Sequence, residues 1–201
     1  MPSKNAVREY DIRTYYHVYN RGASKQSIFL DDQDKINFLS LLQRHLDPDD
    51  TSRRSDGLPY PIFDIELLAY CLMGNHFHLL LYQNEDTAAI SNFMKSIDTA
   101  YTMYFNKKYR ASGHLFQGPF KSARITDEAY LLHITRYIHM NPRYYQRYRW
   151  SSISAYLGKA APAWLKIERI ADMRPAEYRN FLADYESRKA ELELLKNYLA
   201  K

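Results

Sequence analysis

The chain has 201 residues, of which 46% are hydrophobic, enough for one packed domain with or without an appendage. Its net charge of +5 permits an anionic partner without requiring one. No apolar run approaches the ~18 residues of a membrane span, and no signal-peptide core opens the chain. The single cysteine, Cys71, excludes an internal disulfide. The expectation is therefore a soluble, cytoplasmic protein with no membrane partner.

Residues 1–12 are polar and of mixed charge and read as an N-terminal arm. Thr14–Tyr19 is β-branched and aromatic, the composition of a first strand. Asn20-Arg21-Gly22 closes it as a turn, with Arg21 placed either to touch a phosphate or to sit in solvent. Asp31–Leu46 reads as a helix, with Ile36, Leu39, Leu42 or Gln43, and Leu46 at helical spacing. Asp31, Asp32 and Asp34 lie in its first turn, where the helix dipole favours acids. Residues 47–61 form a loop carrying Arg53-Arg54. Ile62–Cys71 and His76–Gln83 are apolar runs around Gly74-Asn75 and predict a β-hairpin with a tight turn. Cys71 lies inside the first run and reads as a core residue.

Asp86-Thr87 offers an N-cap to a helix whose stripe is Ile90, Phe93, Ile97, Tyr101, Tyr104 and Phe105. The stripe is core, and the basic end, Lys107-Lys108-Tyr109-Arg110, suits either the dipole or a backbone phosphate. Residues 111–118 are a loop, and Phe120–Ile125 a short strand bearing Lys121 and Arg124. Thr126 is the expected cap of a helix over Asp127–Met140. The order is strand, helix, strand, strand, helix, strand. It predicts an α+β, ferredoxin-like (βαββαβ) antiparallel sheet with helices on one face and the other face open to carry a site. Residues 160–166 read as a linker and Pro175–Lys201 as a helical extension.

Two stretches carry chemistry. His76 and His78 are two apart on a strand, so both rings leave the same face while Phe77 and Leu79 leave the other. Paired neutral imidazoles suit a divalent metal; two surface histidines at a strand end are the alternative. On the helix Asp127–Met140, Leu131, Ile134 and Ile138 form the apolar stripe, with Tyr130, His133, Tyr137 and Asn141 beside it. Tyr137 and Asn141 are four apart and therefore neighbours, and Pro142 ends the helix. A carboxamide oxygen there can ligate a metal and a tyrosine one turn earlier can act as a nucleophile; a half-buried tyrosine and a capping asparagine are the alternative. Arg143, Arg147 and Arg149 interleave with Tyr144, Tyr145 and Tyr148, the strongest nucleic-acid signal in a chain that holds 19 tyrosines.

Five segments together resemble the IS200-like Y1 class of HUH single-strand DNA transposases, and within it the REP-associated tyrosine transposases. They are Tyr16-His17-Val18-Tyr19-Asn20-Arg21-Gly22, Met73-Gly74-Asn75-His76-Phe77-His78-Leu79, Gly113-His114-Leu115-Phe116-Gln117-Gly118, Tyr137-Ile138-His139-Met140-Asn141-Pro142 and Trp150-Ser151-Ser152. Two departures stand out. Phe77 is the bulky residue between the histidines, and Asn141 stands where some relatives carry Gln. The resemblance implies a nuclease domain over residues 13–158, followed by a C-terminal extension over 159–201. It implies that His76, His78 and Asn141 hold Mg²⁺ or Mn²⁺, and that Tyr137 attacks single-stranded DNA beside a hairpin to form a 5′-phosphotyrosine. Arg21, Lys121, Arg124, Arg143 and Arg147 are then candidate DNA contacts, and a single chain is the expected working unit, with a dimer as the alternative. Two other functions remain open on the residues: a hairpin-binding module with an idle metal site, and a metal-dependent hydrolase that uses water.

Overall fold

A computed structural model describes residues 10–170 and 173–185. Residues 1–9 of the expected arm and 186–201 of the helix expected over Pro175–Lys201 lie outside them. Four antiparallel strands form one sheet in the order β2-β3-β1-β4. They are β1 (Thr14–Arg21), β2 (Ile65–Leu72), β3 (His76–Gln83) and β4 (Lys121–Ile125). Helix α1 (Asp32–Leu46) connects β1 to β2, and α2 (Ala89–Tyr109) connects β3 to β4. This is the expected α+β, split βαβ arrangement.

The strand alternation decides what each face does. Val18, Phe77, Leu79 and Leu81 are fully buried against α1 and α2. The packing stripe of α1 differs from the sequence expectation: Phe38, Leu41, Leu42, His45 and Leu46 are buried, whereas Ile36 is 46% exposed. The helix is rotated because Asp34 is itself buried. It closes a capping box with Asp31 and takes Lys108 Nζ at 2.7 Å and the Tyr109 hydroxyl at 2.8 Å. Lys108 and Tyr109 in the basic end of α2 are thus committed to the acids of α1, on the helix-covered side of the sheet.

The second face is less open than expected. A bulge between Leu67 and Ala69 lets both Leu68 and Ala69 turn to this face. There they join Cys71, Leu80 and Ile125 under α3 (Glu128–His139), the short helix α4 (Ile153–Tyr156) and the helical residues 175–185. Asp127, rather than Thr126, supplies the side-chain oxygen at the start of α3, accepting from Tyr130 N at 3.3 Å. Cys71 is fully buried, as expected of a core residue, and burial pushes its thiol up. The chain after residue 158 stays on this sheet. Leu165 bridges Leu67, Trp164 stacks on Tyr70, and Arg169 pairs with Glu66 at 2.7 Å. No helix among the described residues is long and apolar enough to cross a membrane.

Two glycines of the motifs serve different ends. The β2–β3 turn is closed by Met73 N–H on His76 O at 2.8 Å, and neither Gly74 nor Asn75 has a positive φ. Its position is set from outside: Ile28 and Phe29 N–H both donate to Gly74 O, and Gly22 N–H donates to Asn75 O. A Cβ at Gly74 would meet nothing within 4 Å, whereas one at Gly22 would lie 2.1 Å from Gln26 O. Gly22→Ala is therefore expected to destabilise the fold by about 1–3 kcal/mol and Gly74→Ala to shift it by less than ~1 kcal/mol, as read by urea denaturation. Equal effects would show that the β1–α1 connection does not hold the turn this closely.

Candidate active site

The uncovered part of the second face is one corner, where the ends of β1 and β3, the start of β4 and the end of α3 meet. Register fixes its floor. Tyr19 pairs with His78 on one side and with Lys121 on the other, and Arg21 pairs with His76, so all five residues leave the same face. A cavity of about 530 Å³ opens here, lined by these residues together with Asn20, Gln117, Gly118, Pro119 and Tyr137.

The three expected metal ligands converge. His76 Nε2 lies 3.2 Å from Asn141 Oδ1, and Asn141 Nδ2 lies 3.4 Å from His78 Nε2. Rotating the carboxamide by half a turn exchanges its oxygen between the two rings. The outer nitrogen of each ring is engaged elsewhere. His76 Nδ1 meets Asn75 Oδ1 at 2.7 Å, and His78 Nδ1 meets His17 Nε2 at 2.9 Å. A carboxamide oxygen can only accept, so His76 carries its proton on Nδ1 and turns a bare Nε2 toward Asn141 Oδ1. In the rotated orientation the carboxamide N–H donates to that nitrogen; in this one, Nε2 and Oδ1 both offer lone pairs that a cation between them could accept. Burial lowers the pKa of all three imidazoles. His17 falls to about 4, and His78 falls to about 3 with smaller contributions from His17 and His76. His76 is lowered by burial, partly offset by its bond to Asn141. The rings are neutral at pH 7, as ligands must be. Among the described residues no group of three or more His, Cys, Asp or Glu has metal-binding geometry. The donor set here is two imidazoles and a carboxamide.

Tyr137 stands over this set. Its ring is 50% exposed and meets His78 edge-on at 5.4 Å and His17 at 5.9 Å between centroids. His133, one turn earlier, faces away: its Nδ1 contacts the Arg136 guanidinium at 2.6 Å, beside Phe181. His17 was not among the expected site residues, although its same-parity position beside Tyr19 on β1 was a signal that it shares the histidine face.

The five candidate DNA contacts divide. Arg21 and Lys121 line the cavity, whereas Arg143 and Arg147 border a second one of about 670 Å³ with Tyr144, Tyr145 and Gln146. Arg124 is three residues from Lys121 on β4 and therefore leaves the opposite face, where it pairs with Asp11 at 2.6 Å. The structure does not bring it to either cavity.

The wall opposite α3 is the loop before β4, and β1 holds it. Gln117 N–H donates to Arg21 O at 2.8 Å, Ala23 N–H donates to Leu115 O at 2.9 Å, and Asn20 Nδ2 donates to Gly118 O at 3.3 Å. Asn20 in turn donates to Asp98 Oδ2 of α2 at 3.1 Å, while Asp98 Oδ1 is sealed off without a partner. Burial raises the Asp98 pKa to about 7, with the Asn20 bond opposing. The sign follows from linkage. Between the ordinary carboxylate pKa of 3.8 and about 7 the folded chain holds a proton that the unfolded chain has lost, so this group's contribution falls as pH rises. Asp98→Asn should therefore gain stability over the parent as pH rises from 4 to 7, up to about 4 kcal/mol. The difference between paired denaturation curves reads this directly; a gain independent of pH would contradict it.

Comparison with known proteins bears on this geometry. Residues 61–141 match the family model described as "Transposase IS200 like". A solved structure of a REP-associated tyrosine transposase bound to a REP hairpin superposes with a TM-score of 0.55 at 14% identity, covering 84% of this chain and 94% of that one. It shares the fold. A putative transposase from Deinococcus radiodurans R1 gives a TM-score of 0.41 at 17% identity, covering 67% of this chain and 95% of that one. No curated protein matches the chain.

Proposed function

We propose that this chain is an IS200-like transposase that cuts and rejoins single-stranded DNA beside hairpins, through a 5′-phosphotyrosine on Tyr137. The observation that carries this reading is the meeting of two distant segments of one chain. Asn141 spans His76 and His78, and Tyr137, one turn before it, lies against His78. The neighbour with the shared fold is a transposase bound to a REP hairpin, which supports a hairpin as the structured part of the substrate.

His76, His78 and Asn141 would hold the metal, Mn²⁺ at least as well as Mg²⁺, because two nitrogen donors shift preference away from the hardest ions. A bound divalent ion supplies Lewis-acid polarisation of a non-bridging oxygen of the scissile phosphate. Tyr137 Oη attacks phosphorus in line. The new Oη–P bond replaces the P–O3′ bond, and the tyrosine proton is balanced by the one taken up at the departing 3′-oxygen. Because one phosphodiester is exchanged for another, a 3′-hydroxyl can reverse the step without ATP. A free tyrosine has a pKa of about 10, so the proton must be drawn off as the bond forms. His133 is turned away from Tyr137 and is not that base. Arg21 and Lys121 in the cavity, and Arg143 and Arg147 beyond it, would take backbone phosphates.

The test is a denaturing gel of labelled single-stranded DNA carrying hairpins from the host genome, incubated with the protein and Mn²⁺. A DNA band shifted by the mass of the protein is expected, abolished in Tyr137→Phe and reduced at least ~100-fold in His76→Ala. Cleavage without an adduct would replace this reading with a water-using hydrolase. Binding without cleavage would replace it with an idle-site module.

A second experiment addresses the ligand set. His17 holds the outer nitrogen of His78. His17→Phe should thus weaken Mn²⁺ binding about 10–100-fold by electron paramagnetic resonance titration, with His17→Gln recovering part of the loss. Unchanged Mn²⁺ affinity in His17→Phe would remove His17 from this role.

A further inference from the structure

The loop Gly113–Gly118 entered as a sequence motif, and the chemistry at Tyr137 makes no use of it. The structure nevertheless spends at least four hydrogen bonds on fixing it across the cavity from α3. These are Gln117 N–H to Arg21 O, Ala23 N–H to Leu115 O, Gln26 Nε2 to Leu115 O and Asn20 Nδ2 to Gly118 O. A loop held this firmly presents its exposed side chain in a fixed place, and the side chain it presents to the cavity is Gln117. Beside it, Lys121 opens β4 on the cavity face and forms no ion pair among the described residues. Between Lys121 and His78 lies Tyr19, half-buried and in register with both.

Spacing separates this group from the metal ligands. Neighbouring strands lie about 4.8 Å apart, so His78 on β3 and Lys121 on β4 are about 10 Å apart across β1. Rooted that far away, the Lys121 ammonium is not confined to the phosphate at His76 and His78. It can serve the next one along the strand. The cavity volume of about 530 Å³ also falls within the ~300–1,000 Å³ range of pockets that enclose a small ligand, more than a single phosphate fills.

We propose that Tyr19, Gln117 and Lys121 form a subsite for the unpaired nucleotide flanking the scissile phosphate, with Gln117 as the residue that selects its base. Lys121 takes the phosphate and carries no sequence information. Tyr19 offers an aromatic edge or face that any base can use. The Gln117 carboxamide donates and accepts at once, matching the paired acceptor and donor on a base edge, most fully on adenine. The subsite rests on the reading of the cavity as a single-stranded DNA site, and deepens it by assigning base choice to a residue outside the reacting centre.

Equilibrium binding tests this without requiring cleavage. In the full chain carrying Tyr137→Phe, fluorescence anisotropy is measured with labelled dA, dC and dT homopolymers. The expected result is tighter binding of dA by about 5–50-fold, reduced to within about twofold by Gln117→Ala and shifted toward dC by Gln117→Glu, whose carboxylate accepts from the cytosine amino group. Lys121→Ala should weaken all three alike and reduce the slope of log affinity against log salt by about one. Lys95→Ala, exposed on α2 across the sheet, serves as the control for charge alone. Equal affinity for the three homopolymers, or a preference that survives Gln117→Ala, would overturn the proposal. Failure of Tyr137 to form an adduct would instead sink the nicking reading while leaving this comparison intact.

Discussion

The site depends on how the end of α3 is held, and a buried histidine holds it. His139 is fully enclosed, with Nδ1 on the Tyr178 hydroxyl at 2.6 Å and Nε2 on Ser152 Oγ at 2.7 Å. Ser152 Oγ accepts from Tyr70 N–H at 2.9 Å, so the chain of contacts ends on the backbone of β2. Burial lowers the His139 pKa to about 3, keeping the ring neutral and able to donate at one nitrogen and accept at the other. Tyr137 and Asn141 flank His139 by two residues on either side. Two residues along a helix turn a side chain by about 200°, so fixing His139 inward turns Tyr137 the other way, toward His78 on β3, while Asn141 follows just past the helix end.

This makes residues after 158 part of what positions the candidate site, although none of them lines its cavity. Tyr178 contacts His139, Phe181 and Tyr185 rings lie over the Arg136 guanidinium, and Arg169 covers Tyr82 while pairing with Glu66. Each contact ties residues after 158 either to α3 or to the strands beneath it. The histidine pair is braced separately, from the β1–α1 connection through Gly74 and Asn75 and from His17 on β1. The histidine pair and Tyr137 are thus positioned by different parts of the chain and meet at the Tyr137–His78 ring contact and at Asn141.

Much of this was legible in the sequence because it depends on period and order. Two apolar runs around Gly74-Asn75 had to pair, His76 and His78 had to share a face, and Tyr137 had to neighbour Asn141. What escaped depends on partners. Ile36 fits a helical stripe as well as Phe38 does, and only the burial of Asp34 by Lys108 and Tyr109 decides between them. The linker-like residues 160–166 carry no sign that Trp164 will stack on Tyr70. Arg124 is a different case. Its odd separation from Lys121 on a strand already placed the two on opposite faces, although as charges alone they were equal candidates.

Strand parity also sets the direction of the proposed substrate path. The cavity floor runs from His78 through Tyr19 to Lys121, across three strands, rather than along any one of them. A nucleic-acid strand lying over it meets an imidazole pair, an aromatic ring and an ammonium at successive steps of about 4.8 Å. Along a single strand, side chains on one face recur about every 6.8 Å, and β1 there offers His17, Tyr19 and Arg21, of which His17 is buried and committed to His78. The crossing path starts at the imidazole pair and reaches Tyr19 and then Lys121, while Arg21 flanks it along β1. The same path ends at the α3 side against Tyr137, whose neighbours are buried while its own ring remains half exposed. Tyr137, the proposed nucleophile, therefore stands at the histidine end of a polar track that runs to Lys121.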